Sequence, residues 1–69
     1  MTVDEALCEL YRCEINCQLS SFWDGGWFVK IGDETNGFES GRQFLDEHFD
    51  QIGPWLIAEA KRLYPKADL

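Results

Sequence analysis

The chain has two prolines, one histidine and one methionine. No apolar run in it approaches the ~20 residues that a membrane-spanning helix requires. The first residues, Met1-Thr2-Val3-Asp4-Glu5, are acidic where a secretory leader is basic and then apolar, so a cytoplasmic protein is expected. Basic residues are the other scarcity. Six Lys and Arg stand against thirteen Asp and Glu, a net charge of −7. That balance opposes direct binding to a phosphate backbone or an anionic membrane and favours either solubility or a basic partner.

The lone His48 limits the chemistry further. It lies within Asp46-Glu47-His48-Phe49-Asp50, away in sequence from any motif that would pair it with a nucleophile. A thiol protease using Cys13 or Cys17 with His48 is formally conceivable, yet 69 residues offer little with which to exclude water or hold an oxyanion. Cysteine is sparse and odd in number. Cys8, Cys13 and Cys17 would leave one thiol over in any disulfide framework, and their spacings match neither a redox pair nor a zinc site. They read as reduced, small hydrophobes facing a core. No catalytic residue, cofactor or metal site is expected, and the chain is read as a non-enzyme.

What the chain does have is aromatic and acidic. Hydrophobic residues make up 45% and aromatic residues 14%, enough core formers for one folded domain over residues 1–69 and no more. The acidity is concentrated in the middle. Residues 1–32 carry Asp4, Glu5, Glu9, Glu14 and Asp24 against Arg12 and Lys30, while 33–50 carry Asp33, Glu34, Glu39, Asp46, Glu47 and Asp50 against Arg42 alone. Residues 51–69 are slightly basic through Lys61, Arg62 and Lys66.

Local patterns divide the chain into elements. Thr2 followed by Glu5 is a capping box, and Val3, Ala6, Leu7, Leu10 and Tyr11 recur at helical spacing, which predicts a helix over about 3–13. Ile15, Cys17 and Leu19 then alternate with polar residues, the period of a strand. Asp24-Gly25-Gly26 is a hairpin turn, and Trp27, Val29 and Ile31 alternate behind it. Asn36-Gly37 is a second turn of this kind. A third strand through Phe38, Ser40, Arg42 and Phe44 follows, although a helix beginning after Gly41 fits nearly as well. Phe49, Ile52, Leu56, Ala60 and Leu63 mark a C-terminal helix stopped by Pro65. Pro54 places its regular part close to 54 and leaves 44–52 irregular or a separate helical turn. The expected fold is α+β: a small antiparallel sheet of two or three strands with an N-terminal and a C-terminal helix, in the order α-β-β-(β)-α.

Ser20-Ser21-Phe22-Trp23-Asp24-Gly25-Gly26-Trp27-Phe28, then Asn36-Gly37-Phe38, Trp55-Leu56 and Tyr64-Pro65, resemble a family of short bacterial proteins, frequent in alphaproteobacteria, with an SSFWDGGW-type hairpin. The resemblance covers about 15–65 and implies a fold, not an activity. The acidic Phe44 to Phe49 stretch and Gly53-Pro54 depart from the family pattern. In size and acidity the chain is also similar to small phage anti-CRISPR inhibitors, several of which mimic DNA.

Duplex DNA carries a negative charge about every 1.7 Å of axis, so a rigid row of carboxylates can occupy the basic channel of a nucleic-acid-binding protein. Asp33, Glu34, Glu39, Asp46, Glu47 and Asp50 are the candidates for such a row, with Trp23 and Phe28 as aromatic anchors. The alternative is a self-associating structural or adaptor domain that pairs through the hairpin aromatics or an uncovered edge strand, so that the protein is a monomer or a homodimer.

Overall fold

The structure is a computed structural model that describes residues 1–33, 35 and 37–69. It contains helix α1 (Val3–Arg12), strands β1 (Cys17–Phe22), β2 (Gly26–Ile31) and β3 (Ser40–Phe44), a 3-10 segment (Asp46–Gln51) and helix α2 (Ile52–Leu63). This is a small α+β fold. The sheet is antiparallel in the order β1-β2-β3. No helix among the described residues is long and apolar enough to cross a membrane.

α1 begins where the capping box placed it. The Glu5 amide donates to the Thr2 hydroxyl and the Thr2 amide donates to the Glu5 carboxylate at 2.8 Å. These bonds lower the Glu5 carboxyl below its ordinary range, and the Thr2 hydroxyl does the same for Asp4. The helix ends in a Schellman motif: Ile15 N–H donates to Leu10 O at 2.9 Å and Glu14 N–H to Tyr11 O at 3.1 Å. Glu14, at φ 60, occupies the left-handed position that glycine usually fills. The reversal costs the first strand its expected start. Ile15 is spent closing the helix and is buried in the core, and β1 starts at Cys17.

Pairing registers assign the faces of the sheet. Leu19 opposes Val29 and Cys17 opposes Ile31, while Phe44 opposes Trp27. These residues face the helices. Val29, Ile31 and Phe44 join Ala6, Leu10, Ile15, Ile52, Leu56 and Ala60 in one buried core. Ile52, Leu56 and Ala60 repeat every four residues, so one stripe of α2 is buried. Gln18, Ser20, Phe22, Phe28 and Lys30 lie on the opposite, uncovered face.

Three expectations change. The third strand is Ser40–Phe44 and excludes Phe38, which takes φ 66 in the loop before it. Tyr11 is 87% exposed, because one residue past Leu10 turns the side chain off the buried stripe. Cys8 is exposed and does not face the core, whereas Cys13 and Cys17, both half-buried, pack against it as expected. The Asn36-Gly37 turn falls partly outside the described residues. Gly37 itself has φ 79.

Pro54 is the third residue of α2, where its missing N–H would have had no partner in the first turn. The regular helix therefore starts beside it. The residues before it form the 3-10 segment, kinked at His48.

Candidate functional site

Chain direction sorts the charges. α1, β2 and α2 run one way and β1 and β3 the other, so the first hairpin turn, the 3-10 segment and both helix N-termini share one pole of the molecule. Close contacts fix this arrangement. A Cβ placed on Gly53 would come within 2.6 Å of Met1 O, and one on Gly26 within 2.3 Å of Phe44 O. At this pole lie Asp4, Glu5, Asp24, Asp46, Glu47 and Asp50. Among the described residues it holds no Lys or Arg: Lys30 and Arg42 sit along the sheet, and Arg12, Lys61, Arg62 and Lys66 sit towards the opposite pole.

Aromatic side chains stand among these carboxylates. Trp23 at the turn is 98% exposed and Phe22 is 52% exposed. Trp27 is half-buried. Its ring packs on Phe49 at 4.8 Å between centroids, and its Nε1 donates to Asp46 Oδ1 at 3.3 Å. A cleft of about 390 Å³ runs between the hairpin tip and the 3-10 segment, lined by Ser21, Phe22, Trp23, Gly26, Trp27 and Asp46. Gly26, at φ 86, lets the hairpin approach Phe44 and Leu45 closely enough to form that wall.

The structure divides the anticipated acidic row. Asp46, Glu47 and Asp50 stand at the aromatic pole with Trp23. Asp33 and Glu39 stand at the other end of β3, roughly 17 Å away for a strand of this length at about 3.4 Å per residue. Glu34 lies outside the described residues. Glu39 is engaged internally: its carboxylate accepts from the Asp33 amide at 3.2 Å and from the Tyr64 hydroxyl. Arg42, between the two groups, lies 4.8 Å over the Phe44 ring. Phe28 is not at the tip. It is half-buried on the open face of the sheet, beside Gly41 and with Lys30 Nζ 5.7 Å from its ring centroid.

Sequence reasoning missed two features. Phe22 and Asp46 share the cleft with Trp23, and only the return of β3 alongside β2 brings them together. Patterning within β1 does place Phe22 on the wet face with Gln18 and Ser20. The second feature is a hollow of about 650 Å³ at the opposite pole, whose lining includes Cys13, Asn16, Asp33, Tyr64 and Lys66. It forms because the C-terminal tail folds back on α1, where Arg12 and the Cys13 thiol donate to Asp68 O. No signal local to either segment announces that contact.

The cleft sets one carboxylate, Asp46, beside the rings of Phe22, Trp23 and Trp27. A carboxylate and aromatic faces side by side are the groups that complement a cation with a planar or aliphatic stem. No family model, curated protein or solved structure matches the chain.

Proposed function

We propose that the protein is a non-enzymatic interaction module whose acidic, aromatic pole docks on a basic protein surface. The observation that carries this reading is the gathering of Asp46, Glu47 and Asp50 with an almost fully exposed Trp23 at a pole free of Lys and Arg among the described residues. Carboxylates steer a basic partner and fix its orientation, and a buried aromatic supplies most of the retained affinity. An indole this exposed gains nothing for the isolated fold.

The most specific form of this reading is an inhibitor of a nucleic-acid-binding protein. The carboxylates of the pole take the place of backbone phosphates, as in a DNA mimic similar to anti-CRISPR proteins. The separation of Asp33 and Glu39 from this pole restricts the mimicking surface to Asp46, Glu47, Asp50 and their neighbours.

The test starts from a partner captured from source-organism lysate and purified. Binding is then measured against salt and in competition with duplex DNA. Substituting Asp46→Asn, Glu47→Gln and Asp50→Asn together should weaken binding about tenfold or more and flatten its salt dependence. Glu14→Gln with Asp68→Asn, at the other pole, should leave it unchanged. Equal affinity for the triple variant would overturn the proposal, and failure to compete with DNA would remove the mimic form of it.

A further inference from the structure

The outer side of β1 is an edge without defences. Natural edge strands carry Lys, Pro or a bulge that discourages pairing with another chain. β1, Cys17-Gln18-Leu19-Ser20-Ser21-Phe22, has no charge, no Pro and no Gly, and its register with β2 runs unbroken from Cys17↔Ile31 to Phe22↔Gly26. The other edge strand, β3, contains Gly41 and Arg42.

The hydrogen bonds flanking the strands show which backbone groups are free. Gly32 N–H donates to Asn16 O at 2.9 Å, and Glu39 N–H donates to Ile31 O at 3.0 Å. Even-numbered residues of β2 therefore bond towards β1 and odd-numbered residues towards β3. Across the first ladder, Gln18, Ser20 and Phe22 direct their N–H and C=O groups to β2. Cys17, Leu19 and Ser21 direct theirs outward, where no element among the described residues pairs with them.

We propose that β1 pairs antiparallel with β1 of a second copy of this chain, about a two-fold axis through Leu19. The outward set is self-complementary about that axis: Leu19 opposes its own copy, and Cys17 opposes Ser21 of the second copy. Each of these is a hydrogen-bonded pair, and the two three-stranded sheets become one. Charge selects both the place and the direction. Each copy carries −7, so most faces repel, whereas β1 is neutral along its whole length. The antiparallel direction holds the two acidic poles at opposite ends of the joint sheet, while a parallel pairing would set them side by side. The interface is isologous and closes at two subunits. It is independent of the acidic pole's role.

The register can be trapped covalently. Hydrogen-bonded antiparallel pairs have Cα atoms about 5.5 Å apart, within disulfide reach. In a Cys8→Ser/Cys13→Ser background, Ser21→Cys places a thiol opposite Cys17 of the second copy. Within one chain the two thiols lie about 13 Å apart along the strand and cannot join.

Sedimentation of the wild type at micromolar concentration should give twice the 8.0 kDa chain mass. Mild oxidation of the Ser21→Cys chain should give a covalent dimer, and the same background without Ser21→Cys should not. Ser21→Pro deletes an outward N–H only, so it should keep the β1–β2 ladder and weaken the dimer about tenfold or more. A wild type that stays monomeric to millimolar concentration would overturn the proposal, as would a folded Ser21→Pro chain that dimerises normally. Should Ser21→Pro fail to fold, the cross-link decides, and its absence overturns the proposal.

Discussion

The indole of Trp27 donates to Asp46 across the junction between the sheet and the 3-10 segment, at 3.3 Å, while Phe49 of the same segment packs on the indole ring. One residue thus ties the acidic segment to β2 through a polar and an aromatic contact. The carboxylates at this pole are displayed on a segment held in place.

Asp46→Ala removes the indole's acceptor and should lower stability by about 1 kcal/mol, the usual net worth of one hydrogen bond. Asp46→Asn keeps an acceptor oxygen and should lose less than half of that. Urea unfolding followed by tryptophan fluorescence measures both. Equal losses would show that the bond contributes nothing.

Glu14 holds the left-handed position of the Schellman motif at φ 60, which costs a residue with a Cβ roughly 1–2 kcal/mol. Glu14→Gly should therefore raise the unfolding free energy by about 1 kcal/mol once the greater freedom of glycine in the unfolded chain is deducted. The check is a thermal or denaturant midpoint that rises.

Gly53→Ala should do the reverse of what helix propensity predicts. Alanine favours a helix interior by about 1 kcal/mol over glycine. Here, however, the added Cβ would sit 2.6 Å from Met1 O and 2.8 Å from Thr2 O, and backbone at that distance has to move. The variant should lose about 1–3 kcal/mol, with weakened hydrogen-exchange protection in the first turn of α1.

Glu59 accepts from Arg62 at 2.7 Å and from the Ser40 hydroxyl at 2.6 Å, and these bonds hold its carboxyl at about 2 against an ordinary 4.5. The folded state thus binds this proton more weakly than the unfolded state. Its contribution is complete above pH 4.5 and is lost as the pH falls towards 2. Tyr64 behaves oppositely. Its hydrogen bond to Glu39 raises the phenol from 10.0 to about 12, so its contribution is complete below pH 10 and lost as the pH rises through 12. Melting temperature against pH should fall at both ends. Glu59→Gln should flatten the acid limb, and Tyr64→Phe the alkaline one.

Trp23→Ala should leave stability within about 0.5 kcal/mol of wild type, since an indole that is 98% exposed contributes little to the fold. Leu56→Ala, by contrast, should cost about 2–5 kcal/mol and leave a chain of this size close to unfolding. Calorimetry of the two variants separates a side chain that contributes little to the fold from one that the core requires.

Much of the fold is legible in the residues. Thr2 and Glu5 announce the start of α1, Asp24-Gly25-Gly26 the first hairpin, and Pro54 the start of α2, because each acts within one turn of backbone. The third strand was harder to read, since Gly41 permits either a strand or a helix start. Its selection rests on pairing with β2, where Phe44 lies opposite Trp27 and its ring meets Trp55 at 5.8 Å. The acidic row was the least legible feature. In sequence, residues 33–50 form one charged stretch, but the intervening strand carries Asp33 and Glu39 to one pole and Asp46 to the other.

The sequence by itself determined the net charge, the caps and the turns, because these depend on composition or on neighbours along the chain. The tertiary structure alone decided which carboxylates share a pole, that Trp23 and Asp46 line one cleft, and that β1 is left at an edge. Such juxtapositions depend on the direction of each strand and helix, which is set when distant apolar faces are buried together.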